Sequence, residues 1–238
     1  MTHPSSHVVT ISATYGAGGS VIGPTVARRL GVPFVDRAIP GAVAHRIGCS
    51  LEDALEHDDR APIGLERLLA SAARMPSVTL GSIDTTFIGA TDSEGRLLYD
   101  KEFVEHTERV IAQAGRTGGV VLGRAGAVVL ADHATALHVR LDGPKRRRLA
   151  RAAAMREESR GEALRRGDEE AEQWRPPTMR ELEDNDRARA AYVRRFYRAD
   201  AADPRLYHLV VDSTAIGLAA CVDAIERLAR DRAAARAG

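Results

Sequence analysis

The chain has 238 residues, 44% of them hydrophobic, and a formal net charge of +1. That length and apolar content suit one large α/β domain with room for insertions, and the near-zero charge argues against a nucleic-acid tracker or a membrane-surface binder. Two cysteines, Cys49 and Cys221, give neither a disulfide framework nor a metal-ligand spacing. No apolar run approaches the roughly 20 residues that span a bilayer, and "MTHPSSHVV" lacks the basic and apolar parts of a signal peptide. These features predict a cytoplasmic protein.

In chain order, the first apolar, β-branched run is Val8–Ser12. It enters a glycine-rich turn, Gly16-Ala17-Gly18-Gly19-Ser20, and a helical pattern then runs from Gly19 to Leu30. Gly31 supplies a stop, with Pro33 just beyond it. A second run, Val32–Asp36, ends in Asp36-Arg37. Residues 37–99 break the alternation and read as an insertion, helical at first and looser toward "GSIDTTFIGATDSEGRLLYD". A helix over about Lys101–Ala114 precedes a third run, Gly119–Leu122, and a fourth follows at Ala136–Leu141. The densely charged segment Lys145–Arg198 is predicted helical on both sides of "WRPPT", where Pro176-Pro177 must bend the chain. A fifth run, Tyr207–Asp212, and a helix over about Ala215–Arg236 close the sequence. Short apolar runs alternating with helices predict buried parallel strands in βαβ units.

The turn after the first run has the layout of a phosphate-binding P-loop: strand, glycine cluster, helix. Successive backbone N–H groups and the helix N-terminus would hold phosphate oxygens on Gly16, Ala17, Gly18, Gly19 and Ser20, and Ser20 stands where a hydroxyl would ligate Mg²⁺. Gly19 stands where the loop's lysine would be, and Ala13 where its first glycine would be. A turn that needs glycine for geometry alone is the alternative.

Three further stretches could carry chemistry. "VVLGRAGAVVL" places Arg124 at the carboxyl end of a strand, the edge where open α/β sheets bind ligands and where an arginine can grip phosphate. Asp36 and Arg37 end another strand at that edge and could orient a ribose hydroxyl and a monophosphate; a helix N-cap role suits Asp36 equally. In "EDNDRARAAYVRRFY", Asp186, Arg189 and Tyr192 recur every three residues along one side of a helix, and Asp184 and Arg187 form a second pair one face over. Intrahelical ion pairs, each worth about 0.3–0.5 kcal/mol, are the plain account of that pattern. The histidines and serines form no metal or nucleophile constellation.

In order, these pieces resemble the cytidylate kinase-like family, a branch of the P-loop nucleoside monophosphate kinases. "VTISATYGAGGSVI" matches the family's "ITIS-x-x-x-G-x-GG-x-x-I" loop, and "LGVPFVDR" its "LG-x-P-[FY]-x-D-R". "VVLGRAGAVVL", "LHVRLDGPKRRRLAR", the D-x-x-R-x-x-Y set and "YHLVVDSTAIGL" follow in the family's order, so the resemblance spans Val8 to about Leu228. It implies a three-layer α/β/α P-loop NTPase fold with a parallel five-stranded sheet: core 8–36, 100–145 and 180–238, a helical monophosphate-binding insertion at 37–99, and a helical lid at 146–179. It also implies that glycine in place of the lysine is a family trait.

By the same resemblance the activity is phosphoryl transfer from ATP, with Mg²⁺, to a small phosphorylated acceptor. Arg124 and Arg189 would contact the acceptor monophosphate, with Asp186 nearby for the ribose or for holding an arginine. Ala125 replaces the aspartate that follows "GR" in cytidylate kinases, and "R-E-x-x-D-x-x-R" over Arg180–Arg187 fits the helix motif as well as the Asp186 register does. The missing lysine charge would come from arginines after the fourth strand, Arg147 and Arg151 foremost. The rival is a regulatory nucleotide binder with a degenerate, lysine-less loop. Expected partners are a nucleotide and a small substrate, with homo-oligomerisation left open.

Overall fold

The computed structural model describes residues 7–36, 99–123, 125–167 and 175–235. The expected insertion therefore lies, apart from its last residue, outside the described residues, as do Arg37 and Arg124. The described elements are β1 (Val8–Ala13), α1 (Gly19–Leu30), β2 (Phe34–Asp36), α2 (Tyr99–Thr117), β3 (Gly119–Leu122), α3 (Gly126–Val129), β4 (Leu137–Asp142), α4 (Lys145–Arg165), α5 (Met179–Tyr197), a 3₁₀ turn (Pro204–Leu206), β5 (Leu209–Asp212) and α6 (Leu218–Ala234).

The five strands form one parallel sheet in the order β2-β3-β1-β4-β5. β1 is central. It pairs with β3 from Val8↔Gly119 to Ile11↔Leu122 and with β4 from Val9↔Leu137 to Ala13↔Leu141. Every residue of β1 is buried, as parallel strands covered on both faces require. Alternation along the strand feeds two cores. Val9 and Ile11 join Val120, Leu137, Val139 and Leu141 beneath α1 and α6, where Ile22, Val26, Val222 and Ile225 close the layer. Val8 and Val121 turn the other way, toward Ile111 of α2, Leu130, and Tyr192 and Val193 of α5. Helix, sheet and helix make the three expected layers.

The boundaries follow local chemistry. Gly31 caps α1 in the left-handed conformation at φ 67°, its N–H donating to Ala27 and Arg28. α5 starts with a capping box: Glu181 N–H donates to Thr178 Oγ1, and Thr178 N–H to the Glu181 carboxylate. That box fixes where the chain resumes its helix after Pro176-Pro177. The helix expected from Ala215 starts at Leu218 instead, because Asp212 first binds the amides of Thr214 and Ala215 in a turn. The fifth strand starts at Leu209, not Tyr207, because Asp203-Pro204 sets a 3₁₀ turn ahead of it. Among the described residues no helix is long and apolar enough to cross a membrane.

Candidate functional site

The glycine loop leaves the carboxyl end of β1, the strand flanked by β3 on one side and β4 on the other. At such a switch point the crevice beyond the strand ends is the natural ligand site of an open sheet. Gly16 (φ 76°) and Gly18 (φ 82°) are left-handed, a region costly for any other residue. α4 also passes close by: a Cβ on Gly16 would stand 2.2 Å from the Arg148 carbonyl oxygen.

Three elements hold the loop from outside. From β4, Leu141 O accepts from Thr14 N–H at 3.1 Å, and Asp142 Oδ1 accepts from Thr14 Oγ1 at 3.0 Å. From α5, Asp186 Oδ1 accepts from Tyr15 N–H at 2.9 Å, and Arg189 Nη1 donates to Ala13 O at 3.0 Å. From α4, Arg148 Nη1 donates to Tyr15 O at 2.9 Å and to Asp186 Oδ2 at 2.8 Å, while its Nε donates to Gly143 O at 2.8 Å. Ser213, fully buried, donates its hydroxyl to Ala17 O at 2.7 Å. The N–H groups of Gly16, Gly18, Gly19 and Ser20 have no acceptor among the described residues. They leave a set of donors at the positive end of α1, where an anion is favoured.

The charges match this arrangement. Burial pushes the Asp142 carboxyl up, but the Gly143 amide, Arg140 and Thr14 outweigh it and hold the group below its ordinary value. Burial draws Arg189 down, opposed by Asp186, Asp36 and Tyr15; an arginine so placed stays protonated. Burial raises the Tyr15 phenol, against Arg156.

The two D-x-x-R registers separate here. Asp186 and Arg189 turn to the loop. Asp184 and Arg187 pair with each other, Arg187 being 71% exposed, and neither has a hydrogen bond to the loop. Tyr192 lies in the core with its ring 5.0 Å from that of Phe196. Asp36 ends β2, exposed, near enough to raise Arg189. Arg147 is exposed and its charge falls on Asp212. Arg151 is partly buried, its Nη1 enclosed without a hydrogen-bond partner. Ser20 is exposed at the start of α1.

Sequence reasoning missed Arg148, which is only 4% exposed and bonds both the loop and Asp186. Spacing alone could not single it out, because Arg147 and Arg148 lie four and three residues from Arg151 and both share its face; in the structure Arg148 is buried while Arg146 and Arg147 are exposed. A hollow lined by Glu108, Arg109, Ala112 and Val129 lies on the α2–α3 surface and includes no loop residue.

The described residues hold no cluster of three His, Cys, Asp or Glu side chains suited to a metal ion. A lone hydroxyl, that of Ser20, beside open N–H groups would suit Mg²⁺ carried in with a phosphate ligand, since that ion binds mainly through substrate phosphates and retained waters. It does not fit a resident metal centre.

Residues 8–215 match the cytidylate kinase-like family. No curated protein matches the chain. Among solved structures it is similar to an uncharacterized protein from Eubacterium ventriosum, 12% identical, with a TM-score of 0.51 over 94% of this chain and 98% of that one. A shikimate kinase from Acinetobacter baumannii in complex with shikimate is 13% identical, with a TM-score of 0.42 over 96% and 95% of the two chains. A gluconokinase from Sinorhizobium meliloti is 16% identical, with a TM-score of 0.42 over 98% and 94%.

Proposed function

The chain belongs to the cytidylate kinase-like family, and on that premise we propose that it transfers the γ-phosphoryl group of ATP to a small phosphorylated acceptor. One observation carries this reading: the glycine loop on the central strand keeps four N–H groups, those of Gly16, Gly18, Gly19 and Ser20, without acceptors among the described residues while Thr14, Tyr15 and Ala17 are tied down around them. Three of these belong to the N-terminus of α1, where any helix leaves its N–H groups without intrahelical partners, so the reading draws its support from their place at the end of the central strand beside the left-handed Gly16 and Gly18. Fixed donors of this kind favour phosphate and need no reorganisation when it arrives.

In this reading Gly16–Ser20 hold the donor phosphates. Arg124 and Arg189 hold the acceptor phosphate, with Asp36 and Arg37 for its sugar. The geometry favours Asp186–Arg189 over Asp184–Arg187 as the working register, and Asp186 serves to fix Arg148 and the loop. Mg²⁺, bound through Ser20 and the phosphates, would shield the oxygens. An oxygen of the acceptor's phosphate dianion attacks the γ-phosphorus. The bond from that phosphorus to the bridging oxygen breaks, and its electron pair leaves with ADP. No proton has to move, so no general base is required, and positioning with charge stabilisation suffices.

The absence of the loop lysine favours a second reading, a regulatory nucleotide binder. Two measurements separate the readings. A thermal-shift screen should show ATP with Mg²⁺ stabilising the fold by about 2.7 kcal/mol at 100 times its Kd. Coupled ADP release with a panel of monophosphates should then show turnover. Stabilisation without turnover on any acceptor selects the regulator; no stabilisation by any nucleotide rejects both.

A further inference from the structure

The two departures from the P-loop pattern touch each other. A Cβ on Gly19 would stand 2.6 Å from Ala13 Cβ and 3.0 Å from Leu122 Cδ1. Ala13 is 7% exposed, its methyl is part of the core under α1, and Gly19 is buried beside it. The Leu122 contact involves the end of a flexible side chain and can give. The Ala13 contact cannot, because that carbon is fixed to the last residue of the central strand. Alanine at the first position and a side chain at the seventh are therefore mutually exclusive. The lysine is not merely absent; the loop has no room for its first carbon.

The charge must then enter from elsewhere, and the arginines near the loop are not equivalent. Arg148 spends Nη1 on Tyr15 O and Asp186 and Nε on Gly143 O. Arg189 binds Ala13 O. Arg156 donates to Arg175 O and lies 3.5 Å from the Tyr15 hydroxyl. Arg147 is exposed beside Asp212. Arg151 differs from all of these. Its Nη1 lies 3.7 Å from where a Cβ on Gly18 would stand, is enclosed, and has no hydrogen-bond partner. A buried guanidinium N–H without an acceptor is costly, and such groups are few in folded proteins. One lying beside Gly18, next to a loop with open amides, has an obvious completion.

We propose that Arg151 is the phosphate-binding cation of this site, its open Nη1 taking an oxygen of the donor's β- or γ-phosphate in place of the P-loop lysine. Arg148, one turn earlier on α4, seats the helix against the loop, and Arg151 delivers the charge. The proposal rests on the reading that the loop binds ATP.

Its test is calorimetric titration of ATP·Mg²⁺ and AMP into the wild-type protein and into Arg151→Met and Arg151→Lys, each checked for folding by circular dichroism. Arg151→Met should weaken ATP about tenfold or more and leave AMP unchanged, as loss of one charge-assisted phosphate bond predicts. Arg151→Lys should keep part of the affinity. In the Arg151→Met background, Ala13→Gly with Gly19→Lys should restore ATP binding, whereas Gly19→Lys alone should lower the Tm and restore nothing. If the wild type binds ATP and Arg151→Met binds it equally well, or loses ATP and AMP alike, the assignment of Arg151 is overturned while the kinase reading stands. Gly19→Lys folding with an unchanged Tm overturns the steric exclusion. A wild-type protein that binds no nucleotide overturns the kinase reading itself.

Discussion

Two polar regions of the sheet differ in how far the protein satisfies its own groups. Near the start of β4, His138 is 3% exposed and fully engaged. Its Nε2 faces Leu130 O at 3.1 Å, and a carbonyl only accepts, so Nε2 carries the proton and Nδ1 accepts from Thr10 Oγ1 at 2.8 Å. Its ring stacks on His208 at 4.9 Å, and His208 Nδ1 accepts the His138 backbone N–H. At the carboxyl edge the bracing is as complete, but four loop amides and Arg151 Nη1 are left open. The closed region is structural. In the proposed function the open one is completed by a phosphate ligand.

Breaking the brace should have the largest effect. Arg148→Ala leaves the Asp186 carboxylate without its buried partner and should cost about 4 kcal/mol in urea unfolding. Adding Asp186→Asn should recover part of that loss, since the carboxylate charge that Arg148 faced is gone. Gly16→Ala forces a left-handed alanine against the α4 backbone and should cost about 3 kcal/mol and abolish nucleotide binding. If it folds and binds normally, the loop is less constrained than the histidine region, and the comparison fails.

The closed region has its own signature in pH. Burial, with help from His208, lowers His138 to about 4. Between about 6.5 and 4 the unfolded chain takes up a proton that the folded chain refuses. This contribution to stability is therefore full above about pH 6.5, falls as the pH drops toward 4, and is flat below. The loss reaches roughly 3 kcal/mol, and His138→Gln should flatten it in urea midpoints measured against pH. Smaller again is Thr178→Ala, which removes one half of the capping box and should cost about 1 kcal/mol without altering ATP affinity.

Much of this was legible in the sequence. β1, the loop and α1 follow from one apolar run, a glycine cluster and a helical period, with Gly31 closing the unit as expected. α4 and α5 were readable as charged helices broken at Pro176-Pro177. Which D-x-x-R pair faces the loop was not, because both registers satisfy local spacing and only the packing of α5 against β1 decides. Arg148 was hidden in a run of three arginines, where composition carries no phase. The His138–His208 pair joins residues 70 positions apart, and α3 is too short and too uniformly apolar to show a period.

The loop's attachment to β1 has a consequence for exchange experiments. Amides on the central strand are shielded on both edges and both faces, so they exchange with solvent only when the whole domain opens. Thr14 and Tyr15 tie the first residues of the loop into that same network. A ligand on the loop should thus slow deuterium uptake at Val9–Ser12 by the same free energy with which it raises global stability, while the N–H groups of Gly18–Ser20, which have no acceptor among the described residues, should register binding directly. The two peptides together would give occupancy and linkage from one measurement.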